Sequence, residues 1–305
     1  MNLRKKGLFL VLVTALISGF SIFINKLGVK GVDPYFYTFL KNFVAGTFLI
    51  AILFLFKSYK EIINLKKDEV IKLFLIGLVG GAIPFMLFFK GISLTSAVTA
   101  GFIHKTLFIY VGLMAAFFLK EKITKSMFLG FLSLIIGSFL FLNVKMHAFN
   151  VGDLYVFIAV LYWAIEIVIS KKLLKKLSGT LVASSRLFIG SIIILFYLLI
   201  TQKAYLFSSI DSGIFLWMVI GGVLLAGYNF TFYNGLKQLK AVEATAILTL
   251  GMPITGLLSI IFLDKTLNPL QFMGVGFMLL GVILINSLFK NNIQLNFKKL
   301  IKVQS

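Results

Sequence analysis

A chain of 305 residues that is 60% hydrophobic and only 13% charged, with a mean hydropathy of +1.03, does not fit a soluble domain, where about a quarter of residues carry charge. The absence of cysteine excludes disulfides, zinc–thiolate centres and thiol nucleophiles. A net charge of +20 raises nucleic acid as a partner, but the placement of the charges argues against it.

In chain order the sequence gives ten apolar segments, at 7–27, 35–56, 72–89, 96–119, 126–144, 153–170, 181–200, 213–234, 241–263 and 269–289. Each has the length a helix needs to cross the ~30 Å hydrocarbon core of a bilayer. The connections are too short for a soluble domain. The first segment follows Arg4, Lys5 and Lys6 as a leader would. Its long apolar run has no small-x-small cleavage pattern before Asn25, so it is expected to stay as an anchor helix. With ten spans both termini fall on one side. That side collects 21 of the lysines and arginines, among them Arg4, Lys66, Lys122, Lys175, Lys240 and Lys299. The other side holds Lys26, Lys30, Lys90, Lys145, Lys203 and Lys265, and Lys41, Lys105 and Arg186 lie within spans. By the positive-inside rule both termini are expected in the cytoplasm of a cell carrying this protein in its inner or plasma membrane. The basic residues then line an anionic lipid surface, and no nucleic acid is expected as a partner.

The fourth segment, Ser96 to Leu119, carries His104 and Lys105 near its middle. There an unpartnered charge costs at least about 2.5 kcal/mol. Helical spacing puts Gly101, Lys105, Phe108 and Gly112 on one face, so Lys105 is expected to look toward protein or water rather than lipid. The ninth segment is its twin. An offset of 144 residues carries Ala97 onto Ala241 and, without a gap, Gly46 onto Gly190, Gly91 onto Gly235, Gly112 onto Gly256, Gly130 onto Gly274 and Gly137 onto Gly281. The chain therefore reads as a duplicated five-helix unit, residues 1–145 and 146–305, the second ending in a short basic tail. Five is odd, so the halves insert in opposite senses. Two such halves can exchange conformations and open a central site to either side in turn.

Polar residues inside the spans are the site candidates. Glu166 and Arg186 sit at matching depths on adjacent segments and read as a structural ion pair, with a proton-coupling carboxylate as the other reading. Lys41, with no acid at its depth, either meets substrate or turns toward the interface. Glu243 reads as solvated near the inner surface. The run Tyr228, Asn229, Thr231, Tyr233, Asn234 on the eighth segment is richer in polar groups than lipid favours, so part of it is expected to line a cavity. Pro253 has no N–H, which frees the Thr249 carbonyl, and Thr249 is Lys105's equivalent under the offset. Lys105, His104, Thr249, Tyr228 and Asn229 are therefore expected to line the site together at one depth. Two histidines, the second being His147 in an outer loop, make no metal site, and no cofactor is expected. Gly77 and Gly81 on the third segment, and Gly274-x-Gly276 on the tenth, read as helix packing.

The second half also carries Trp163-Ala164 followed by Lys171, then Arg186, then Pro253 with Thr255 and Asp264. The first half carries Glu121-Lys122-Ile123-Thr124 followed by Gly130 and Gly137. This pattern resembles the ten-helix drug/metabolite transporter superfamily with two EamA-type repeats. The resemblance departs in the first repeat, where Gly19 stands for the tryptophan, Asn42 for the arginine and Ile109 for the proline. It implies an all-α polytopic membrane protein of two inverted five-helix repeats, with Trp163 beside the cavity. It also implies a secondary transporter, working outward, for small organic metabolites such as amino acids. A membrane-embedded enzyme acting on a lipid-linked substrate and a passive channel stay open at this point. So does the choice between monomer and homodimer.

Overall fold

With no water in the hydrocarbon core, each backbone N–H and C=O must find its partner within the segment, and apolar runs of this length answer by forming helices. The computed structural model describes residues 2–28, 32–144, 148–209, 211–264 and 266–286. His147 and the basic tail lie outside them.

Among the described residues ten helical spans result, built from α1 (Leu3–Gly28), α2 (Pro34–Leu55), a short connecting α3 (Lys60–Ile63), α4 and α5 (Lys67–Ile76 and Ile83–Ile92), α6 and α7 (Ala97–Lys105 and Leu107–Leu119), α8 (Lys125–Leu142), α9 (Val151–Leu173), α10 (Gly179–Ile200), α11 (Ser212–Gln238), α12 and α13 (Ala241–Ile247 and Gly251–Leu263) and α14 (Pro269–Asn286). Each of the three paired elements makes one span. The third span begins at Lys67 rather than 72, and the eighth runs on to Gln238 rather than 234. Apolarity marks only the hydrocarbon-facing part of a helix. The ends continue into the interface, where Glu69 accepts from the Lys66 N–H at 3.0 Å and the Lys237 ammonium from α11 caps the Leu177 carbonyl at 3.0 Å.

The duplication is visible in the packing. α8 and α14 cross antiparallel with reciprocal contacts. A methyl group added at Gly130 would lie 2.9 Å from the Gly281 carbonyl oxygen, and one at Gly281 2.9 Å from that of Gly130. Gly137 and Gly274 repeat the relation at 2.8 Å each way. Between them the Ser133 hydroxyl donates to the Phe277 carbonyl at 2.7 Å, and these two residues are related by the 144-residue offset. The pseudo-twofold axis therefore passes between spans five and ten, where only glycine permits this approach.

One end of the bundle is basic and cross-braced. The Lys171 ammonium donates to the carbonyls of Leu236, at 2.6 Å, and Leu239, while the Ser178 N–H donates to Glu61 at 2.9 Å. Glu243, expected to be solvated, is buried there. It pairs with Arg4 at 3.2 Å and accepts from the Lys240 N–H at 3.2 Å. Its partner is 239 residues away in sequence and so invisible to a local reading. At the opposite end Asp33 pairs with Lys203 at 2.6 Å and Thr95 donates to Asp153 at 2.6 Å.

Candidate functional site

Among the described residues, three spans depart from a regular α-helix in their middles. The third widens into a π-type turn over Gly77–Ala82. The fourth breaks at Thr106, between α6 and α7. The ninth tightens into a 3₁₀ turn over Leu248–Leu250, between α12 and α13. Thr106 and Leu250 are equivalent under the 144-residue offset, so the twin spans are interrupted at the same register. At each interruption a threonine hydroxyl bonds the carbonyl three residues back: Thr106 to Ile103 at 2.6 Å, Thr249 to Ala246 at 2.7 Å. Side chains that compete in this way for backbone partners loosen the helical ladder.

Lys105 is the last residue of α6, directly at the break, and is half-buried. Among the described residues its ammonium has no carboxylate partner. His104 beside it lies within an aromatic group, its ring 5.0 Å from Trp163 and 5.4 Å from Phe88. The Trp163 indole N–H donates to the Gly80 carbonyl at 3.1 Å, which the widened turn of span three presents to it. Thr249 is buried. Each of the twin positions lies eight residues from the start of its span. The spans start from opposite faces, however, so each residue lies about 4.5 Å to its own side of the span's middle. Lys105 belongs to the half toward the less basic face and Thr249 to the basic half. The expectation of a common depth is corrected accordingly: a twofold axis in the membrane plane reverses depth.

Glu166 and Arg186 do meet, Nε to Oε2 at 3.7 Å, both buried. The Glu166 Oε1 accepts from the Tyr233 hydroxyl at 2.7 Å and from Ser170. Arg186 donates to the Asn229 side-chain oxygen at 2.9 Å, and Asn229 donates on to the Leu225 carbonyl at 2.8 Å. The same widened turn abuts the pair. A methyl group at Gly80 would sit 2.2 Å from the Glu166 Cγ, and one at Gly81 2.0 Å from the Arg186 carbonyl oxygen. Ser170 and Tyr233 were not assigned this role from sequence. Ser170 carried a signal, since it lies one helical turn after Glu166 and on the same face.

Part of the polar run of span eight is expected to line a cavity; most of its members instead meet other helices. Asn229, Thr231 and Tyr233 are buried. Thr231 accepts from Thr14 at 2.8 Å, and Asn234 reaches Thr180 at 3.4 Å. They join helices to one another. Tyr228 stays half-buried beside Phe232. The Lys41 ammonium rests over the Tyr37 ring at 5.0 Å, one turn toward the less basic face, and has no acid beside it among the described residues. The neighbouring Asn42, which stands where the second repeat has Arg186, donates to the Gly81 carbonyl at 3.2 Å.

The twin spans differ most in their first halves. Leu113 and Leu257, equivalent positions on α7 and α13, are 57% and 55% exposed. Val98 and Val242, equivalent positions on α6 and α12, are 41% and 2% exposed. Val242 packs on span four, within 3.3 Å of a methyl group placed at Gly112. At the equivalent Gly256 the Phe141 ring fills that place, and no atom of Val98 comes within 3.9 Å. Spans four and nine thus converge at the basic face and part at the other.

A duplicated, inverted ten-span bundle whose twin spans hold opposite arrangements is the architecture of a solute transporter. A profile of the EamA-like transporter family matches residues 5–143 and again 150–287, and the chain belongs to this family. An uncharacterized transporter of Clostridium kluyveri is 25% identical over 293 residues, 92% of this chain and 93% of that protein. Protein LicB of Haemophilus influenzae is 32% identical over 179 residues, 56% of this chain and 60% of LicB. An uncharacterized transporter of the same organism is 27% identical over 262 residues, 80% and 85% of the two chains. A protein of known crystal structure, 15% identical, shares the fold with a TM-score of 0.80, covering 94% of this chain and 99% of its own. The protein is a multi-pass membrane transporter rather than an enzyme, with a small molecule as substrate and the lipid bilayer as its surroundings.

Proposed function

We propose that this protein is a secondary transporter that exports small organic metabolites bearing a carboxylate, amino acids among them, by alternating access, with its basic face in the cytoplasm. The observation that carries this reading is the interrupted fourth span, which ends its first half on Lys105, an interior ammonium without a carboxylate partner among the described residues. A cation inside a membrane span is costly unless something anionic meets it for part of the working cycle. A carboxylate would supply that partner, and the adjoining aromatic group of His104, Trp163 and Phe88 would take the apolar part of the solute. The opposite arrangements of spans four and nine support alternation, since exchanging them between the repeats would open the other side. Tyr228 and Lys41 are assigned to the walls of the same path, and Thr249 to its basic half.

Purified protein in proteoliposomes, screened for saturable counterflow of carboxylates and amino acids in both directions, tests the reading. Lys105→Ala should weaken binding of the anionic solutes about ten- to hundredfold, the loss expected for one charged hydrogen bond, with the fold intact. Unaltered transport in that variant, or a flux that never saturates, would overturn it.

A further inference from the structure

The two faces of the bundle are not closed in the same way. Span nine begins in a knot of contacts. The Ala241 N–H donates to Glu121 Oε1 at 3.0 Å, which ties the start of span nine to the end of span four. Two residues on, Glu243 holds Arg4 of span one at 3.2 Å. The same Arg4 nitrogen donates to the Asn286 carbonyl at the end of span ten. All seven residues of α12 are buried as a result. At the other face the positions equivalent to Glu243 and Arg4 are Thr99 and Ala148, which carry no charge. Here the repeat symmetry is broken by charge, at the place where the twin spans converge.

We propose that Arg4, Glu121 and Glu243 form a gate that seals the basic face between spans four and nine, and that parting them opens the site to that side. The proposal rests on the alternating-access reading above. Its chemistry is specific. Glu243 is buried, so removing Arg4 leaves a carboxylate in a site that water reaches poorly, and the closed arrangement loses stability relative to the open one. The gate holds the bundle closed at the basic face, where spans four and nine converge. Weakening it should move the population the other way, and the two faces should respond in opposite directions.

The absence of native cysteine makes the test direct. Single cysteines at Thr245, 3% exposed, and Val98, 41% exposed, report on the two faces. Ser191, fully buried in α10, reports on general loosening. The full chain in nanodiscs is treated with a charged thiol reagent, which reaches both faces. Adding Arg4→Ala or Glu243→Gln should raise the labelling rate of the Thr245→Cys protein about tenfold, a modest population shift. It should lower that of Val98→Cys and leave Ser191→Cys unchanged. The exchange Arg4→Glu with Glu243→Arg should return the Thr245→Cys rate to that of its parent. An unchanged Thr245→Cys rate, an equal rise at Ser191→Cys, or no recovery in the exchanged pair would each overturn the gate. Labelling needs no solute, so failure to find a transported metabolite would count against the proposed function and leave this result readable.

Discussion

An interior carboxylate persists in a membrane only where donors replace the water it has lost. Glu166 has three: the Arg186 guanidinium on one oxygen, and the Tyr233 and Ser170 hydroxyls on the other. Arg186→Ala should therefore destabilise the protein by about 3–5 kcal/mol, the cost of stranding a buried charge, read as a fall in melting temperature of the purified protein. Exchanging Glu166 and Arg186 should recover part of it. A Glu166→Gln variant that melts normally yet loses pH-dependent transport would replace the structural role with proton coupling. This pair was legible in the sequence because both residues sit at one depth on consecutive helices. Arg4 and Glu243 were not, since Glu243 near a span's end looks solvated until a distant segment covers it. The polar run of helix eight misled for a related reason: composition reveals that polar groups avoid lipid, and not whether water or another helix receives them.

For the elements, Asp33 illustrates how a helix start is held. One of its carboxylate oxygens accepts from the Tyr35 and Phe36 N–H groups at 2.9 and 3.1 Å, capping α2, and the other pairs with Lys203. Burial pushes its carboxyl upward, but the Lys203 hydrogen bond and charge and the two amide donors outweigh this and hold it below the usual carboxylate range. Lys203 is correspondingly raised by its hydrogen bond to Asp33. A depressed acid stabilises the fold above its ordinary value, and that contribution fades as pH falls through the depressed one. A raised lysine gives the same stabilisation below its ordinary range and loses it as pH climbs past the raised value. Asp33→Ala should thus lower stability by about 0.5–2 kcal/mol near neutrality, with the gap to the parent narrowing in melting curves taken below about pH 4. An undiminished gap in acid would refute the pairing. The interruption in span nine was legible through Pro253. That in span four was not, because no proline marks it and Thr106 acts through a hydroxyl that helices often tolerate. The widened turn of span three was legible only as closely spaced glycines.

The whole molecule was the most legible scale. Ten apolar runs and one constant offset imply the spans and their pairing, and the reciprocal glycines of α8 and α14 agree with that offset. What the offset could not convey is that equal sequence permits unequal packing: Val98 and Val242 are the same residue at equivalent positions, yet one is exposed and the other buried. Orientation in the cell is testable at this scale. Single cysteines at Lys66 and Lys175 should resist an impermeant reagent applied to intact cells, and those at Val32 and Asp211 should react. The reverse pattern would invert the topology.

The crossing of spans five and ten has a mechanical corollary. Under the alternating access proposed above, residues on the twofold axis would keep the same neighbours as the two halves trade conformations, so Ser133, Phe277 and the flanking glycines would form an axle that does not turn inside out. Damage to an axle weakens every orientation of the machine alike. Ser133→Ala, which removes the hydroxyl bonded to Phe277, would lower the melting point while leaving the ratio of the two arrangements where it was. Genetic selections for altered transport bias would then find their hits at the rims of the bundle and pass over its axis.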